Sequence, residues 1–94
     1  MDFKTGFAFG IFESYGSFTN HNGQKCISIN IGQKKAYLID YVLNVFGGKI
    51  FGPYKGRIIW RLCGSELNPY LKFIEINLSE DKRILFKEWI NKDI

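Results

Sequence analysis

"GFAFGIFESYGSF", residues 6–18, is almost wholly apolar, is punctuated by Gly6, Gly10 and Gly16, and carries one acid, Glu13. A phosphate loop would need a preceding strand, a different glycine spacing and a Lys-Ser/Thr pair, and all three are missing. A membrane span would need roughly 20 apolar residues, and no run approaches that length. What remains is a core helix over residues 2–14, with Gly16 where helices end.

Working outward, Ser17 to Asn20 begin an extended segment, and His21-Asn22-Gly23 is a turn signal. In "KCISINIGQ", Ile27, Ile29 and Ile31 alternate with Cys26, Ser28 and Asn30, the period of a half-buried strand. Residues 17–32 therefore read as a hairpin. "KKAYLIDYVLNVFGG" changes period: Leu38, Tyr41, Val42, Val45 and Phe46 share one helical face, and Gly47-Gly48 stops the helix. "KIFG", "PYKG" and "RIIWRLCG" read as strand, turn, strand. Ile58, Trp60 and Leu62 point one way there, and Arg57, Ile59, Arg61 and Cys63 the other. "SELNPYLKFIEI" is a short helix interrupted by Pro69. Ser79 caps a last helix with Glu80 and Asp81 in its first turn and Leu85, Phe86, Trp89 and Ile90 as its stripe. The order α-β-β-α-β-β-α plus a final helix, without a linker, implies one α+β domain over residues 1–94. Its helices would lie on one face of an antiparallel sheet.

Ninety-four residues leave a marginal core, supplemented by nine Phe, five Tyr and two Trp. The N-terminus lacks the marks of a secretory signal, so the chain is expected to be organellar (mitochondrial) or cytoplasmic, with no membrane partner. Phe, Ile, Lys, Asn and Tyr supply 44 of the 94 residues, which hints at an AT-rich genome. Cys26 and Cys63 show neither metal spacing nor a disulfide framework and are expected to be inert thiols. A single histidine, His21, argues against a zinc site or a Ser-His-Asp triad.

Residues 24–63 hold seven Lys or Arg and one acid, a net +6, whereas the rest of the chain is −2. A positive face follows. The open face of the sheet is expected to carry Ser17, Thr19, Lys25, Ser28, Asn30, Lys49, Phe51, Arg57 and Arg61. Lys34 and Lys55 beside it complete a candidate nucleic-acid surface.

The order of elements and residues 8–16 resemble the LAGLIDADG homing endonuclease family. Against its nine-residue motif stand Ala8, Phe9, Gly10, Ile11, Phe12, Glu13, Ser14, Tyr15 and Gly16, followed by Ser17 and Phe18 where the family has Ser-Phe. "INIGQKK" is similar to the segment ending the family's second strand, "LIDYVLNVFGGKIF" to its second helix and third strand, "IIWRLCG" to its fourth strand and "LNPYLKF" to its Pro-x-Leu helix. The resemblance implies an αββαββα module whose motif helix pairs with a second copy, with acids at the helix foot holding divalent metal beside the scissile phosphates.

Residue by residue, the metal-ligand position is Tyr15, the helix-supporting acid is Glu13, the glutamine near the active site is Gln33, and the basic position is Ile74. A phenol with a pKa near 10 is a poor magnesium ligand. The resemblance with these departures implies a non-enzyme without cofactor, binding structured RNA in a ribonucleoprotein such as an organellar ribosome, or as a splicing cofactor (maturase). The alternatives are a homodimeric, Mg²⁺-dependent DNA homing endonuclease and a protein-docking module. Gly6 and Gly10 are expected on the exposed side of the first helix, beneath a protein partner or a second copy. Phe9 is expected to obstruct symmetric pairing, with Phe7, Ile11 and Phe12 anchoring the core.

Overall fold

The computed structural model describes residues 2–92. Helix α1 (Phe3–Tyr15) leads into β1 (Gly16–His21) and β2 (Gln24–Gly32). A 3-10 turn, Gln33–Lys35, precedes α2 (Tyr37–Phe46), then β3 (Lys49–Tyr54) and β4 (Arg57–Cys63). The chain closes with α3 (Gly64–Leu67), a 3-10 turn over Asn68–Tyr70, α4 (Leu71–Asn77) and α5 (Glu80–Ile90). The four strands form one antiparallel sheet in the order β1-β2-β4-β3. No helix among the described residues is long and apolar enough to cross a membrane.

Strand parity sets the core. Ile27, Ile29 and Ile31 of β2 and Trp60 and Leu62 of β4 point to one side, where Ala8, Phe9, Ile11 and Phe12 of α1, Ile39, Val42 and Phe46 of α2, and Phe86 and Trp89 of α5 cover them. The α+β architecture with helices on one face is thus observed. Asp2 caps α1, its carboxylate accepting from the Thr5 N–H at 2.7 Å, and this bond holds the carboxyl below its usual pKa. Gly16 follows in extended backbone rather than as a left-handed stop. A Cβ there would overlap the ring of Phe12, so the glycine permits a close approach. At Asn22-Gly23 both φ angles are positive, 51° and 77°, as a two-residue hairpin turn of type I′ requires.

The orientation of α1 differs from expectation. Phe9 is 5% exposed and meets Phe73 edge-on at 5.3 Å, so it belongs to the core and does not stand in the way of a partner helix. Phe7 is 43% exposed and meets the exposed Tyr41 edge-on at 4.9 Å. The helix carries apolar residues on most of its surface, so its packing on α2 and the sheet, with Phe73 of α4 against Phe9, decides which residues it buries.

The two cysteines also correct their expected reading. The β2–β4 register sets Cys26 directly opposite Cys63, with Cα atoms 4.2 Å apart, and the sulfurs form a disulfide. Their separation of 37 residues hides a contact that only strand pairing creates.

Candidate nucleic-acid interface

The face of the sheet away from the helices carries the polar residues. Cross-strand register lines up Ser17 of β1, Ser28 of β2, Arg61 of β4 and Lys49 of β3 in one row across all four strands. Ser28 is buried within that row, its hydroxyl 3.4 Å from that of Ser17. The next row is Asn30, Ile59 and Phe51, and the last joins Gly32, Arg57 and Tyr54. Arg57 Nε donates to Asn30 Oδ1 at 2.7 Å, and Arg57 Nη2 donates to Asn30 O at 3.0 Å. The guanidinium of Arg61 lies over the Phe51 ring, 5.0 Å from its centroid. Lys55 extends the face from the β3–β4 turn and Lys34 from the turn after β2, both exposed.

One expected member stands elsewhere. Lys25 shares parity with Ile27, so it points to the helix side, and its Nζ donates to the carbonyls of Trp89 (2.7 Å) and Lys92 (2.6 Å) at the end of α5. It caps a helix instead of meeting solvent on the open face. Thr19 keeps the open-face parity of Ser17 and of its register partner Cys26, as expected, and its carbonyl accepts from Trp89 Nε1 at 2.9 Å. Its hydroxyl is buried without a partner.

At the foot of α1, an open pocket of about 720 Å³ brings Tyr15, Asn30, Gln33, Lys34, Lys35 and Arg57 together. Tyr15 is 41% exposed, and Lys35 Nζ lies 5.7 Å from its ring centroid. Lys35 is a member that the sequence does not single out, its one signal there being its place beside Lys34. Of the four positions carried over from the resemblance, Tyr15 and Gln33 meet here. Glu13 does not line the pocket, and Ile74 is 1% exposed in the core. Ile74 therefore cannot occupy the solvent-facing basic position, whereas Lys72 is exposed.

This donor set does not fit a divalent cation within one chain. Hard cations take carboxylate and carbonyl oxygens, and the six residues above offer a phenol, two amides and three cations. No group of three or more metal-ligating side chains occurs among the described residues.

The exposed side of α1 holds Gly10, around which a Cβ would meet nothing within 4 Å. Gly6 and Glu13, both half-buried, stand four residues before it and three after it, on the same side. Phe3, 85% exposed, stacks on Phe7 at 6.1 Å and extends the apolar surface.

Neither a protein-family model nor a curated protein sequence matches the chain. Solved structures do. The LAGLIDADG meganuclease I-AabMI, bound to uncleaved DNA, superposes with a TM-score of 0.75 at 23% identity, over 89% of this chain and 33% of that one. The homing endonuclease I-TnaI gives 0.74 at 19% identity, over 96% and 71%. I-SmaMI, bound to an uncleaved DNA target with calcium, gives 0.67 at 20%, over 94% and 36%. The chain spans about a third of the length of I-AabMI. These structures are homing endonucleases, and that finding overturns the expectation that the chain is not an enzyme. The chain has the LAGLIDADG homing endonuclease fold.

Proposed function

We propose that the chain is a nucleic-acid-binding module that lays the open face of its sheet on duplex DNA. The observation that carries this is the uninterrupted row Ser17–Ser28–Arg61–Lys49, with Arg57, Lys34 and Lys55 beside it, on the face the helices leave free. Cations neutralise phosphates, and side chains standing off strands reach base edges. Two neighbouring strands about 4.8 Å apart make a ribbon that fits a major groove about 12 Å wide. The deep, narrow major groove of A-form RNA does not admit such a surface. That favours DNA over the structured RNA of a ribosome or a spliced intron. I-AabMI and I-SmaMI, which share the fold, were solved on DNA, and this supports the same choice.

A second reading concerns cleavage. Gly6, Gly10 and Glu13 share the exposed side of α1. A second copy packed there would bring two Glu13 carboxylates together at the helix feet, which one chain cannot do. The paired module would then be a metal-dependent DNA endonuclease.

Competition at fixed salt tests the proposal: labelled random duplex DNA bound to the protein is challenged with unlabelled duplex or with folded RNA. Duplex DNA should displace the label at lower concentration. Preferential displacement by folded RNA would replace DNA with RNA as the partner, and absence of binding to either would end the proposal.

A further inference from the structure

The open face carries one group that nucleic-acid binding does not use, the Cys26–Cys63 disulfide. Cys63 lies two residues beyond Arg61 on β4 and shares its face, and Lys49 is the register partner of Arg61. Lys49 is therefore a diagonal neighbour of Cys63, about 7–8 Å away and within reach of a long side chain. A cavity of about 310 Å³ opens at this end of the sheet, and its lining includes Cys63, Lys49, Arg61 and Glu66. Two of its three charged residues are thus cations. The two sulfurs differ in access. Cys26 is 0% exposed and does not line the cavity, whereas Cys63 is half-buried and does. An incoming thiolate meets Cys63 Sγ. Cations beside it concentrate anions, and the Arg61 guanidinium, which lies over the Phe51 ring, keeps its N–H edges for a carboxylate.

We propose that Cys63 is a thiol–disulfide exchange site for a small, carboxylate-bearing thiol, and that the adduct blocks the open face. The thiolate attacks Cys63 Sγ and forms a new S–S bond to it. The Cys26–Cys63 bond breaks, and its electron pair leaves on Cys26 Sγ, which takes a proton from water. One disulfide replaces another, so nothing is oxidised or reduced overall. The freed thiol has an acceptor in the Gln24 carbonyl, 3.7 Å from Cys26 Sγ, and burial holds it as a thiol rather than a thiolate. A thiol does not attack a disulfide, so Cys26 reverses the step slowly and the adduct stays on Cys63. The same burial makes Cys26 a sluggish leaving group, so capture of the attacker by Lys49 and Arg61 decides which thiols react. The carboxylates added there occupy both cations and repel phosphate. The blocking rests on the proposed DNA reading, and the exchange does not.

The test treats the oxidised chain with glutathione, neutral 2-mercaptoethanol or cationic cysteamine at equal thiolate concentration. Acid quenches the reaction, and mass spectrometry maps the peptides. Glutathione should add to Cys63, severalfold faster than the other two, and salt or Lys49→Gln should remove most of that lead. The purified glutathione adduct should bind duplex DNA severalfold more weakly than the oxidised chain. The 2-mercaptoethanol adduct, which breaks the same link without adding charge, should bind more tightly than the glutathione adduct. An adduct on Cys26, equal rates for the three thiols, or passage to the dithiol with no adduct would overturn the exchange site. A glutathione adduct that binds duplex as tightly as the oxidised chain, or no more weakly than the 2-mercaptoethanol adduct, would overturn the blocking. A chain that adds glutathione at Cys63 but binds no duplex in either form would overturn the DNA reading, and the blocking with it, while the exchange site stands.

Discussion

The ammonium of Lys25 sits 2.7 Å from the carbonyl oxygen of Trp89, on the covered side of the sheet. A cation at the end of α5 adds a donor to the Trp89 carbonyl, which also accepts from the Lys92 N–H at 3.3 Å, and opposes the negative end of the helix dipole. Lys25→Met should therefore lower stability by about 1–2 kcal/mol in urea unfolding and leave DNA affinity intact. Equal unfolding midpoints for mutant and wild type would show that the ammonium contributes nothing.

Phe9 and Phe7 stand two residues apart on α1 and should behave oppositely. Phe9→Ala removes a ring packed on Phe73 and should cost about 3–5 kcal/mol. Phe7→Ala removes a partly exposed ring and should cost far less in a dilute monomer. Chemical denaturation of both variants tests this orientation of α1, and a larger loss at Phe7 contradicts it.

Gly10 faces open space. Gly10→Leu should leave the unfolding transition of the isolated chain nearly unchanged, because nothing there collides with a side chain. If a second copy packs on this side, sedimentation at rising concentration should show self-association for wild type and its loss for the mutant. Unfolding of the domain by this substitution would place the glycine in the core.

The Cys26–Cys63 link closes a segment of 37 residues. Such cross-links stabilise by about 2–4 kcal/mol, chiefly by restricting the unfolded chain. Under oxidising conditions, adding reductant should lower the urea midpoint accordingly, and Cys26→Ser should lower it without any reductant effect. Free thiols found by alkylation of the oxidised protein would contradict the pairing.

Much of this architecture is legible in the residues themselves. The alternation of Ile27, Ile29 and Ile31 gives a strand and its buried side, and Asn22-Gly23 gives the hairpin. The same alternation excludes Lys25 from the face that holds Ser28 and Asn30, since odd and even positions part ways. Register between distant strands is not legible: the Cys26–Cys63 and Ser28–Arg61 pairs depend on β4 pairing with β2, with β3 placed outside it. The orientation of α1 is not legible either, because Phe3, Phe7, Phe9, Ile11 and Phe12 spread apolar surface over most of it. Spacing from Pro69 puts Ile74 at the basic position, but spacing cannot foresee that α4 turns that residue into the core.

The central claim is that the open sheet face holds nucleic acid through its cations. It is tested most directly by duplex DNA affinity measured across a range of salt for wild type and for a Lys49→Glu, Arg61→Glu double variant. Wild-type affinity should fall steeply with salt. The double variant should bind more weakly, with a slope shallower by about 1 for each phosphate left without its cation. A double variant that binds as tightly as wild type, with the same slope, would contradict the account.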